Sequence, residues 1–168
     1  AGLLSALDAR RERVAAEFNA LLGQRRRDAD AGELAAYWRA LPDAGEARTL
    51  ADAGFADAAA LDANLRDFAR APGVRDLADA VRARLDRVVP ALLQASAVSA
   101  QPDAALRRAM ALLHNILRRS SYLALLDERP TALSRLVDVV ARSGLLAERL
   151  AAHPLLLDEL LDARLAGP

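Results

Sequence analysis

Between Ser120 and Asp162 the chain repeats itself at an offset of 24 residues: Leu126, Pro130, Leu133, Leu136, Val137 and Asp138 recur as Leu150, Pro154, Leu157, Leu160, Leu161 and Asp162. In each copy the residue before proline is pushed out of the helical region, which ends one helix. The proline then sits in the first turn of the next, where its fixed φ and missing N–H cost nothing. Leu133, Leu136, Val137 and Val140 in one copy, and Leu157, Leu160 and Leu161 in the other, form apolar stripes at helical spacing. Two copies are too few for a solenoid. The stretch reads as the packing nucleus of a helical domain.

Hydrophobic residues make up 54% of the 168 residues and aromatic residues only 4%, so Leu, Ala and Val must fill the core. That favours close helix–helix contact, and a chain of this length can bury roughly two-thirds of its unfolded surface. No segment of useful length alternates with period two. The chain therefore reads as all-α: an irregular bundle of about seven to nine helices, without a sheet.

Charge and composition also narrow the function. Twenty-three basic residues, all Arg, balance 23 acidic ones, leaving no global field to draw in nucleic acid or an anionic membrane. Cysteine is absent, which excludes disulfides, thiolate zinc sites and cysteine nucleophiles. The first 24 residues are interrupted by Asp8, Arg10, Arg11, Glu12, Arg13 and Glu17 and do not read as a signal peptide. The longest uncharged run, Val88 to Pro102, is 15 residues and too short to cross a bilayer. A cytoplasmic protein is expected.

In chain order, residues 3–22 predict a helix with Leu7, Val14, Phe18, Leu21 and Leu22 on one side and Gly23 as its stop. Gln24 to Gly32 reads as an exposed linker, followed by a short helix from Glu33 to Leu41 that offers Leu34, Trp38 and Leu41. Residues 42–56 are punctuated by Pro42, Gly45 and Gly54, with one helical turn expected around Ala47–Ala53. Asp57 reads as an N-cap opening a helix to Arg70 through Leu61, Leu65 and Phe68, and Phe55 reads as a staple on its first turn. Pro72-Gly73 predicts a break. A long helix from Val74 to Ala95 follows, kinked at Pro90. Asp103 then caps a helix to Arg119, and Ser121 and Ser143 read as further caps.

Candidate chemistry is sparse. His114 and His153 are the only histidines, far apart and without nearby carboxylates, so they read as structural rather than zinc-binding. No serine sits in a G-x-S-x-G elbow and no glycine-rich phosphate loop occurs. Arg25, Arg26 and Arg27 read as a solvated cluster, with an acidic partner as the alternative. Asp158, Glu159 and Asp162 resemble a metal cluster on paper. At helical spacing opposite Leu157, Leu160 and Leu161 they read as a solvated acidic face. Arg118 or Arg119 is expected to bridge to Asp127 or Asp158. Tyr37, Trp38 and Leu41 read as core, a partner contact through Trp38 being the alternative. No catalytic, cofactor-binding or metal-binding residue is assigned.

The order Tyr122-Leu123, Leu125-Leu126, Pro130, Leu133, Ser143 and then His153-Pro154-Leu155-Leu156-Leu157-Asp158-Glu159-Leu160-Leu161-Asp162 resembles the central region of bacterial bifunctional glutamine synthetase adenylyltransferase/adenylyl-removing enzyme. Arg13-Val14, Phe18 and Leu21-Leu22 resemble the helix that closes that family's first catalytic half. The resemblance implies three parts: residues 1–23 as the last helix of the preceding catalytic half, 24–32 as a linker, and 33–168 as a central helical domain. It further implies a non-catalytic region joining two nucleotidyltransferase halves that add AMP to glutamine synthetase and remove it. Partners implied are those flanking halves, the PII signalling protein and glutamine synthetase. ATP and Mg²⁺ are implied for the whole enzyme and no cofactor for this stretch. The family's catalytic halves need a metal-binding D-x-D pair on a strand. The D-x-D here, Asp28-Ala29-Asp30, lacks the preceding Gly-Ser or Gly-Gly step and a flanking strand, and reads as solvated linker. The rivals are a free-standing helical adaptor and a small nucleotide-binding enzyme.

Overall fold

In the computed structural model, which describes residues 2–165, every regular element is helical. The described residues form ten helices: α1 (Gly2–Ala40), α2 (Arg48–Ala53), α3 (Ala58–Arg70), α4 (Pro72–Arg75), α5 (Asp79–Ala97), α6 (Pro102–Ile116), α7 (Ser120–Glu128), α8 (Pro130–Arg142), α9 (Gly144–Ala152) and α10 (Leu155–Leu165). The all-α expectation holds, and the count exceeds seven to nine by one. The extra helix is the four-residue α4. Its first residue is Pro72: the predicted break falls at Ala71 (φ −59°, ψ 137°), and the proline then opens a new helix.

The repeated proline steps behave as their chemistry requires. Arg129 before Pro130 is extended, with φ −123° and ψ 91°, and His153 before Pro154 leaves the helical region in the same way, with φ −131° and ψ 79°. Pro130 opens α8 as expected, whereas Pro154 stands one residue ahead of α10. Arg129 is the only residue between α7 and α8, so the two helices meet at a sharp corner. The equivalent leucines of the repeat, Leu126 and Leu150, then Leu133 and Leu157, are all buried. Ser143 makes the next corner without a proline: its side chain accepts a bond of 3.1 Å from the Leu146 N–H and opens α9.

Helix α5 is the axis of the bundle, touching α1, α6, α7 and α8, while α6 also packs on α3, α8 and α9. Leu85, Val88, Val89, Leu92 and Leu93 of α5 are at most 1% exposed, and the helix runs on through Pro90. Arg108 on α6 pins the far side. Its Nη1 donates to the Val140 carbonyl at 2.7 Å and to that of Ala141 at 3.4 Å, meeting carbonyls that the end of α8 leaves without helical partners. Gly144 leaves room for that guanidinium, since a Cβ there would lie 3.0 Å from Nη2. Arg108→Ala is expected to cost about 1–2 kcal/mol, read as a lower urea midpoint with an unchanged slope.

Several boundaries differ from the sequence reading. Residues 24–32 are helical and not an irregular stretch: α1 runs unbroken from Gly2 to Ala40, and Gly23 does not stop it. Its polar residues remain helical because Gln24 Nε2 donates to Asp28 at 2.9 Å and Arg27 Nη2 donates to Gln24 at 2.9 Å, both at one-turn spacing. The helix from Val74 to Ala95 is split, because α4 ends at Arg75 and α5 opens at Asp79. Helix α6 ends at Ile116, short of Arg119. Ser121 lies inside α7 and is not its cap. Asp57 does cap α3, accepting from the Ala60 N–H at 3.3 Å. Asp103 makes no cap on its own helix; both its oxygens instead accept from the backbone N–H groups of Ala56 and Asp57, at 2.9 and 2.8 Å.

Candidate functional site

A part-buried polar network lies where the C-terminal end of α1 meets α3 and α5. Tyr37 and Trp38 are neighbours on α1, so they point to different helices. The Tyr37 hydroxyl donates to Asp62 Oδ1 on α3. Arg66, one turn further on, donates to Asp62 Oδ2 through Nε at 2.8 Å. Its remaining nitrogens reach the carbonyls of Pro42 (2.8 Å), Ala44 (3.1 Å) and Gly45 (2.7 Å). One guanidinium thus holds the whole turn after α1. Gly45 is needed there: its φ is +90°, and a Cβ would lie 3.3 Å from the Tyr37 ring.

Trp38 is 0% exposed. Its indole N–H donates to Asp86 Oδ1 at 2.9 Å, Arg82 Nε donates to the same oxygen at 3.0 Å, and the Arg82 guanidinium lies 5.5 Å over the ring. Phe68 fills the next space, 6.0 Å between centroids. The core reading of Tyr37, Trp38 and Leu41 therefore holds.

Ionisation follows from these contacts. Burial, then the hydrogen bond to Asp62, pushes the Tyr37 phenol far above its ordinary value. Burial opposes ionisation of Asp62, but the hydrogen bonds from Arg66 and Tyr37 outweigh it and hold the carboxyl below the usual range.

A second feature is a cleft of about 460 Å³ between α1, α5 and the α7–α8 corner. Its walls are largely Leu34, Val88, Ala91, Leu126 and Leu133, and its rim carries Arg27, Asp30, Arg87 and Asp127. Arg87 grips Asp127 with two bonds of 2.8 Å, Nε to Oδ1 and Nη2 to Oδ2. That pairing lowers the Asp127 carboxyl against a smaller opposing effect of burial. Two positive and two negative groups at the rim cancel.

The remaining sequence candidates are placed as follows. Asp127 takes Arg87 as partner, not Arg118 or Arg119. Asp158 accepts from the Tyr122 hydroxyl at 3.2 Å, tying α10 to α7. Burial, then this bond, raises the Tyr122 phenol, with Arg119 opposing. Asp158 and Glu159 are exposed, and Asp162 lies outside the described side chains. His114 is exposed and stands edge-on to Phe68 at 6.2 Å. His153 ends α9, where its backbone N–H donates to Arg149 at 2.8 Å. Arg25 and Arg26 are exposed along α1. Asp28 and Asp30 are two apart on that helix, so their carboxylates diverge and do not fit a shared Mg²⁺. Among the described residues no three His, Asp or Glu side chains come together as a metal site, and no helix is long and apolar enough to cross a membrane. The Asp62–Arg66 and Arg82–Asp86 pairs, which organise this junction, carry only one signal in the sequence, their i,i+4 spacing. Their partners Tyr37 and Trp38 lie too far away in sequence to be paired with them from spacing alone.

The polar groups of the core join helix to helix, and the cleft is neutral and apolar. Fold and site together define the class, a helical packing domain. Comparison with known proteins places it more narrowly. Over 166 residues, 99% of this chain, it is 61% identical to the bifunctional glutamine synthetase adenylyltransferase/adenylyl-removing enzyme of Stenotrophomonas maltophilia. It is 59% identical to that of Xanthomonas oryzae over all 168 residues, and 43% identical to that of Pseudomonas aeruginosa over 84% of the chain. The chain spans about 18% of the length of the first two and 15% of the third. No family model and no solved structure matches it. The chain corresponds to one segment of the bifunctional glutamine synthetase adenylyltransferase/adenylyl-removing enzymes.

Proposed function

We propose that this chain is the non-catalytic middle of such an enzyme, a helical block that connects and couples two nucleotidyltransferase halves. One half transfers AMP from ATP to glutamine synthetase and the other removes it by phosphorolysis, both with Mg²⁺, in the bacterial cytoplasm. The observation that carries the reading is the match itself: near-complete coverage of this chain by a minor part of each relative. The same observation disfavours a free-standing adaptor. Residues 1–23 belong to the preceding half and 33–168 to the block, with α1 continuous between them. Signals from glutamine and the PII protein pass through the packed helices, so that one activity rises as the other falls. Two packings differing by a few kcal/mol suffice for such a switch.

The single-residue corner before Pro130 and the two-residue corner at His153-Pro154 are the natural hinges. In the intact enzyme, Pro130→Ala with Pro154→Ala is expected to blunt the reciprocal response of the two activities to glutamine while changing each basal activity less. An unchanged response rules out coupling through these corners. Measurable AMP transfer by the 168-residue chain alone, mixed with ATP, Mg²⁺ and glutamine synthetase, overturns the non-catalytic assignment.

A further inference from the structure

Helix α1 carries two apolar faces that do not line up. Near its C-terminal end Leu34, Tyr37 and Trp38 are buried against the bundle. In its N-terminal half Leu7, Val14, Phe18, Leu21 and Leu22 are 46–60% exposed. At 3.6 residues per turn, the 16 residues from Phe18 to Leu34 make about four and a half turns. The exposed stripe therefore looks away from the bundle, on the opposite side of the same helix. Five large apolar side chains at helical spacing form a face that soluble helices normally cover, and a helical half with no packed face has little stability of its own.

The charges beside the stripe restrict what covers it. Arg10 and Arg11 line a shallow concavity with Leu7, Val14 and Phe18, and Arg25 lies in line with Phe18 two turns on, while Asp8 and Glu17 stand at the two margins, leaving three cations against two carboxylates. A complementary surface is apolar along its ridge and acidic beside it. More than four-fifths of each first relative lies outside the matched segment, so a covering surface of this kind has ample polypeptide to come from.

We propose that a helical surface of the longer polypeptide, apolar with acidic flanks, packs on this outer face, so that α1 is gripped from opposite sides by two bodies. The inference rests on the reading that this chain is a segment of a longer enzyme. It adds a mechanical consequence: the two bodies share one rigid beam, and a roll of α1 moves both at once.

Hydrogen exchange, followed in parallel in the complete polypeptide and in the 168-residue chain, tests it. Amides of residues 7–22 are expected to exchange at least about tenfold more slowly in the complete polypeptide. Val14→Asp with Phe18→Asp should erase that difference and leave the amides of α5 and α6 unchanged. Equal rates in the two proteins overturn the proposal. Protection that appears in the short chain as its concentration rises would assign the face to a second copy. Protection only on adding vesicles of anionic phospholipid would assign it to a membrane surface; either result also overturns it. A normal reciprocal response in the proline variants would sink the coupling reading and leave this exchange comparison intact.

Discussion

Trp38→Ala is expected to lower the unfolding free energy by about 4 kcal/mol, close to the upper range for a buried aromatic truncation. The indole is fully enclosed, and its removal opens a cavity between α1, α3 and α5 beside Phe68. It also strips Asp86 of one donor, leaving Arg82 to satisfy that carboxylate alone. Trp38→Phe separates the two causes, because it keeps most of the volume and loses only the indole N–H. It should cost about 1–2 kcal/mol. Urea unfolding followed by circular dichroism reads both variants, and the wild-type transition can be followed by fluorescence as well, since this is the only tryptophan. A loss under 1 kcal/mol for the alanine variant would mean that the helix junction is not packed as described.

Asp62→Asn should cost about 2 kcal/mol at neutral pH, a figure below that for a fully buried pair, because the Asp62 and Arg66 side chains keep 16% and 18% exposure. The loss reaches beyond the pair, since Arg66 also holds the carbonyls of Pro42, Ala44 and Gly45. Its pH dependence has a definite sign. A carboxyl whose folded pKa is depressed stabilises the protein above its unfolded value, about 3.9, and that contribution disappears as pH falls through the folded value. Wild type and Asp62→Asn should therefore converge in acid. At the alkaline end the sign comes from Tyr37. Its raised pKa keeps it protonated when folded while the unfolded chain ionises near pH 10, so stability falls as pH rises beyond that point. Tyr122 is raised in the same direction, so Tyr37→Phe should remove one share of the alkaline slope and leave the other. Parallel acid limbs for wild type and Asp62→Asn would show that the carboxylate does not carry the junction.

The helices themselves were legible from local chemistry. Proline at 130 and 154, the Asp57 and Ser143 caps, and leucine spacing in α3 and α8 each act within one or two turns, so the residues that set the element lie inside it. Gly23 and the charged run from Gln24 misled for the same reason. Read locally they mark a stop and a linker, but in the folded chain α1 continues through them. The i,i+4 pairing of Gln24 with Asp28 and the anchoring of Leu34, Tyr37 and Trp38 outweigh the cost of the two interior glycines, Gly23 and Gly32, about 1 kcal/mol each. Asp103 shows the reverse error, a residue with a good local role whose carboxylate is used 46 and 47 residues away.

The all-helical class, the proline corners and the likeness to a stretch of the adenylyltransferase/adenylyl-removing enzymes were determined by the sequence alone, since backbone sterics and apolar periodicity act between near neighbours. Only the tertiary structure decided which charges meet. Arg87 rather than Arg118 or Arg119 takes Asp127, Arg66 closes the turn after α1, and the two apolar faces of α1 look in opposite directions. Such pairings depend on where whole helices come to lie, which is set by the summed burial of many leucines and not by any residue's own neighbours.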